Sequence, residues 1–334
     1  MPQLIVTLAL AAIALAALSG SATRDGGARE RLFDLFQRLA PASETAADRF
    51  HLIEIDADSI AKIGPWPWPR SIVADLVDRA RTAGADAVVY AEPVAVPDPL
   101  SPETIGAFWL SGARDGALRA ELALLPSTDA SLAAALAPTR GVVAIRESVE
   151  TRLSDDTPRA RADFGKVDWA DAAAASNGGG DFVGLPTTSM RFAVDAALAS
   201  EATIAVASLP PDRDGVLRAA PLVWSVDGAP RAAVSLEAAR AALGAERALV
   251  ETTATSVSAD GRVPKRVSLG DRSAPVDAGA RMRLYLPQRP DIAATPAWRT
   301  LDDAGATAQF SGKVVLIGRA ADDGGVESTA PGAF

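Results

Sequence analysis

The segment Gly64-Pro65-Trp66-Pro67-Trp68-Pro69-Arg70 constrains this chain more than any other. Each proline fixes its own φ and pushes the preceding residue toward an extended backbone, so the segment is neither helix nor strand interior. It joins an apolar strand-like run at 51–56 to a helical run at 71–83, in which Ile72, Val73, Leu76, Val77 and Ala80 share one face. The fold must therefore carry a stiff aromatic crossover between these two elements. In a flat extended chain Trp66 and Trp68 point the same way, whereas in a polyproline II helix they stand about 120° apart, one inward and one free. Either both indoles plug the gap between strand and helix, or one serves as a ligand platform or partner surface.

Strand-like and helical runs alternate after the crossover. Gly84 stands where a helix cap belongs, 87–90 reads as a second strand, and Leu132 to Leu136 lies in a helix. A third strand follows at 141–145, and Pro93, Pro97, Pro99 and Pro102 mark the intervening loop. Such spacing predicts an α/β fold with a mostly parallel or mixed central sheet flanked by helices. Residues 147–184 read as a surface excursion. The second half is richer in hairpins: a strand at 203–209, a turn at 211–215, a strand at 216–226, and a return strand at 231–234 after Asp227-Gly228. A helix at 235–243 ends at Gly244, two β segments flank Asp260-Gly261, and another covers 281–286. The unbroken apolar run at 313–318 predicts a buried, central strand.

The first charged side chain is Arg24, and residues 4–18 are apolar or small apart from Thr7. A membrane helix wants about 20 mainly apolar residues, so 1–23 reads as a transmembrane anchor. A cleavable signal is the competing reading, since Gly20-Ser21-Ala22 offers small residues for a peptidase; a buried core helix is the third. Residues 24–48 form a juxtamembrane helix and linker, with Leu32, Leu35, Phe36 and Leu39 at helical spacing. That helix is expected to carry a signal between membrane and domain, to pair with a second copy in a homodimer, or to dock on the domain core. The domain itself spans 49–334.

Composition narrows the function. A net charge of −9 argues against nucleic acid as a partner, because phosphate binding needs clustered Lys and Arg. The chain has no cysteine, which rules out disulfides and thiolate metal sites. Its single histidine, His51, excludes chemistry that needs two imidazoles and reads as a packed strand residue.

Several landmarks recur in one order from about residue 30 to the C-terminus, and together they resemble the CHASE2 domain, an extracytoplasmic sensory module of bacterial membrane receptors. They are the juxtamembrane helix, the strand ending in Asp56 and Asp58-Ser59, the Trp-Pro stretch from Gly64 to Arg70, the turn Asp214-Gly215-Val216-Leu217-Arg218, the Gly312 to Gly318 strand, and Thr329-Ala330-Pro331. Two departures stand out: Tyr90 is followed by Ala91 where the family has Asp, and Val326 stands near another expected Asp. The resemblance implies a sensor of a small-molecule ligand or envelope protein, held at the inner membrane and facing the periplasm or exterior. It implies no catalysis and no cofactor in this chain; in the family a cyclase or kinase effector commonly follows.

The candidate ligand-binding residues are Asp56, Asp58, Trp66, Trp68, Arg70, Asp214 and Arg218. Asp56 and Asp58 fall at the carboxyl end of a strand, where open α/β sheets bind ligands. Two carboxylates at i and i+2 suit a hard cation or acid–base chemistry, which makes a carboxylate-dependent hydrolase the weakest alternative. Otherwise Asp58 or Ser59 begins a short helix as its N-cap. Arg70 is expected to meet an anionic ligand or to bridge to Asp56 or Asp58. Asp212 and Asp214 begin like a calcium loop, but Val216 occupies the next ligand position.

Overall fold

The computed structural model describes residues 27–40, 47–94, 96–110, 112, 115–138, 141–145, 167–169, 185–188, 196–226, 229–254, 262–285 and 292–319. The first elements are α1 (Gly27–Leu39), β1 (Phe50–Ile55), α2 (Ala57–Ile63), α3 (Arg70–Thr82) and β2 (Ala87–Tyr90). Helices α4 (Pro102–Trp109), α5 (Gly116–Leu122) and α6 (Thr128–Leu136) lead to strands β3 (Val142–Ile145), β4 (Val167–Trp169) and β5 (Thr187–Thr188). Next come α7 (Ala196–Glu201), β6 (Thr203–Val206), β7 (Ala219–Pro221), β8 (Val223–Val226), β9 (Ala229–Ala232) and α8 (Val234–Leu243). The last are β10 (Ala248–Ala254), β11 (Arg262–Leu269), β12 (Arg272–Pro275), β13 (Arg281–Arg283), β14 (Ala294–Pro296), α9 (Ala297–Asp302) and β15 (Val314–Arg319).

Six strands in the order β14-β1-β15-β2-β3-β6 form one parallel sheet. Successive side chains along a strand face opposite sides, and this alternation divides the core in two. Ile53, Ile55, Val88, Tyr90, Val143, Ile204, Val315 and Ile317 meet Val73, Leu76 and Val77 of α3, with α6 and α7 completing that layer. Ala87, Val89, Val142, Ala205 and Val314 face the other way, onto Ala238 and Ala241 of α8. The apolar run near the C-terminus is β15, central as expected, between β1 and β2. Strands β10, β11 and β12 form an antiparallel meander with β4 added parallel to β10; β13 pairs β7, and β9 and β5 flank β8.

Three expectations change. The single strand at 216–226 is two strands in different sheets: Pro221 has no N–H to continue a ladder, and Leu222 bonds instead to Ala280 and Ala233. Pro102 opens α4 rather than extending the loop, a position where its missing N–H costs nothing. Within the supposed excursion, 167–169 form a strand on β10, and the rest of it lies outside the described residues. The proposed anchor at 1–23 also lies outside them; no described helix is long and apolar enough to cross a membrane.

Candidate functional site

The carboxyl end of β1 leads straight into the crossover. Asp56, rather than Asp58 or Ser59, caps α2, its Oδ1 accepting the Ser59 N–H at 2.8 Å. Asp58 sits on the exposed side of α2. After Gly64, with φ of 137°, the crossover runs as bends without regular structure, and its Trp66–Pro67 peptide is cis. Trp68 is buried and its Nε1 donates to the Gly64 carbonyl at 2.7 Å. Trp66 is half-buried, packed edge-on against Trp68 with ring centroids 5.5 Å apart, and the Arg319 guanidinium lies 5.8 Å from its centroid. One indole is core, and the other keeps an open side at the sheet edge.

Arg70 points inward. Its buried guanidinium pairs with Asp129 in the first turn of α6, not with Asp56 or Asp58, and Nη2 donates to the Val96 carbonyl at 2.8 Å. Asp129 Oδ2 accepts the Asp98 N–H at 2.7 Å; Asp98 in turn accepts the Arg70 N–H at 2.7 Å and the Thr128 hydroxyl at 2.6 Å. Loop 96–101 is thereby fastened to the amino ends of α3 and α6, where carboxylates are also favoured by the helix dipoles. Tyr90 borders this network, and burial pushes its hydroxyl pKa up.

A second polar centre surrounds the turn at 212–218. Gly215 takes a positive φ of 84°, closing a turn in which Asp212 and Val216 pair through their backbones. The loop returns Asp212 and Asp214 to Arg218, which is 3% exposed. Arg218 also forms a bidentate contact with Asp34 of α1, at 2.7 and 2.8 Å. Hydrogen bonding to Arg218 draws the Asp214 carboxyl down to about 2, while the Asp34 and Asp214 carboxylates raise the pKa of the guanidinium further. Arg283 grips Glu30 through both nitrogens, and the Gln37 amide donates to the Leu284 carbonyl at 2.6 Å. Helix α1 is thus bolted to β13 and the 212–218 turn through its polar face.

The second face of the parallel sheet is incompletely covered. Helix α8 lies over β2, β3 and β6 and presents small side chains, leaving a groove of about 600 Å³ above Phe50, Val314 and Leu316. Ala238 and Ala242 form its wall, and the exposed Arg49 and Arg272 belong to its lining. Its size and mainly apolar lining fall in the range of small-molecule sites. His51 faces the opposite layer, with Nε2 2.8 Å from the Thr295 hydroxyl and its ring 4.8 Å from Phe310.

The candidate residues therefore fall at two separate places. Asp56, Asp58, Trp66, Trp68 and Arg70 surround the crossover, while Asp214 and Arg218 sit at the α1 contact. Sequence reading missed Asp34, Asp98, Asp129, Glu30 and Arg283. An acid near a helix start is visible in sequence for Glu30 and Asp129; their distant arginine partners are not. A family model described as the CHASE2 domain matches residues 7–331. No curated protein and no solved structure matches the chain.

Proposed function

The chain belongs to the CHASE2 family of sensory domains, and we propose that it serves as the extracytoplasmic input module of a bacterial membrane receptor, without catalysis of its own. One observation carries the mechanism: α1, which follows the apolar 4–18 run in sequence, is held to the domain by the Arg218–Asp34 and Arg283–Glu30 pairs. A ligand or envelope partner that prefers one packing of the domain shifts the population of that state. The shift reaches the membrane segment through α1, because α1 cannot move independently while both pairs hold. The ligand surface is assigned to the crossover edge, where Trp66 keeps an open side near Arg319. The separate placements of Asp56, a helix cap, and Asp58, on an exposed helix side, favour binding over a two-carboxylate hydrolase.

A stand-alone anchored periplasmic binding or scaffolding protein is the second reading, supported by the apolar groove beside α8. The test is the response of the native membrane protein to its stimulus after Arg218→Met and Asp34→Asn. Loss of response in variants that retain folded circular dichroism supports the input role. An unchanged response in folded variants overturns transmission through α1.

A further inference from the structure

Helix α1 has two opposed faces. At 3.6 residues per turn, Glu30, Phe33, Asp34 and Gln37 fall on one side and Leu32, Leu35, Phe36 and Leu39 on the other. The first side is the one docked through Arg283, Arg218 and Leu284. The apolar side, which a soluble helix would turn toward the core, faces out: Leu35, Phe36 and Leu39 are 49%, 60% and 72% exposed. Charge is sorted in the same way. Both acids of the helix, Glu30 and Asp34, are turned inward to arginines, while Arg31 and Arg38 are exposed along the Leu35 border of the apolar stripe. Tyr285, 66% exposed, stands edge-on to Phe33 at 5.6 Å and adds an interfacial aromatic beside the helix.

We infer that this stripe rests on an anionic lipid surface, with α1 lying in the plane of the headgroups. An apolar face bordered by arginines is the pattern of an interfacial helix, and lipid phosphates complement Arg31 and Arg38. A second copy of the chain is a poorer occupant, because stripe-on-stripe packing brings arginine borders together with no acid to meet them. The inference rests on the membrane placement proposed above, since the apolar 4–18 run lies a few residues ahead of α1. It also orients the domain: the Arg218 contact and β13, which hold α1, lie on the side of the domain nearest the bilayer.

The absence of cysteine makes the test free of background labels. The full chain carrying Phe36→Cys, or Asp58→Cys as an aqueous reference, is spin-labelled and reconstituted into vesicles of 7:3 phosphatidylcholine to phosphatidylglycerol. Oxygen and nickel-chelate accessibilities are read by electron paramagnetic resonance after flotation. Membrane docking predicts an oxygen-to-nickel ratio at position 36 several-fold above that at 58. It also predicts a fall toward the reference value in Arg31→Glu/Arg38→Glu, each arginine being worth about fivefold in lipid association. A chain that floats with vesicles while position 36 remains as aqueous as 58 overturns the inference and spares the receptor assignment. Dipolar broadening at 36 without lipid exposure makes the stripe a contact between copies and also overturns it. A chain that fails to float overturns both.

Discussion

Arg218 and Asp34 are 184 positions apart in the chain, yet their side chains meet in a bidentate contact of 2.7 and 2.8 Å. The guanidinium is 3% exposed and carries two further carboxylates, Asp212 and Asp214. One side chain therefore both closes the turn in the second half of the domain and holds the helix that follows the apolar N-terminal run.

Arg218→Met removes the cation that Asp34 and Asp214 share and leaves the carboxylates crowded. The expected loss is about 3 kcal/mol, the scale of breaking a largely buried ion pair from one side. Denaturant midpoints measure it, and amide exchange should quicken across 27–39 more than in β1 or β15.

The same contact has a pH signature. Because the Asp214 pKa is lowered from 3.8 to about 2 in the folded chain, its stabilisation is complete above pH 3.8 and is lost as pH falls toward 2. Asp214→Asn should flatten that part of the stability curve. An Asp214 carboxyl titrating near 3.8 by NMR would contradict the pairing.

His51 gives a second, separable slope. Burial, with a smaller contribution from Lys313, lowers its pKa below 6.5, so the unfolded chain binds the proton more readily. Stability is therefore retained above pH 6.5 and declines as pH falls below it toward the folded pKa. With a single histidine in the chain, urea titrations of wild type and His51→Gln between pH 5 and 7.5 assign the slope without ambiguity.

Arg70 and Asp129 form the other buried pair. Asp129→Ala leaves the Arg70 guanidinium buried without its partner and should cost about 3–5 kcal/mol. Arg70→Lys should also destabilise, because an ammonium cannot reproduce the guanidinium fork that reaches both Asp129 and the Val96 carbonyl. Thermal melts of the two variants check both.

Trp68→Ala should lower stability by about 3–5 kcal/mol, as for a buried large aromatic. Trp66 is only half-buried, and its replacement by Ala should cost about 1 kcal/mol. If Trp66 forms the ligand edge, Trp66→Ala weakens the stimulus response at temperatures where the domain stays folded.

Much of this fold was legible because each face leaves a local pattern. The 3.6-residue spacing of Val73, Leu76, Val77 and Ala80 gave α3, and the apolar runs of β2 and β15 gave buried parallel strands. Distant pairing leaves no such mark. Sequence proximity offers Arg70 only an anionic ligand or a bridge to Asp56 or Asp58, whereas folding brings Asp129 to it. The apolar stripe of α1 was visible, but its direction depends on Arg218 and Arg283, which arrive from the far half of the chain. The division of 216–226 between two sheets depends on Ala280, another distant partner.

Export of the domain is tested most directly by labelling one exposed position from outside the cell. Asp58→Cys, on the open side of α2, introduces the only thiol in the chain. An extracytoplasmic sensor is modified by a membrane-impermeant maleimide in intact spheroplasts as fully as in lysed ones. Modification only after lysis would place the domain on the cytoplasmic side and contradict the receptor assignment.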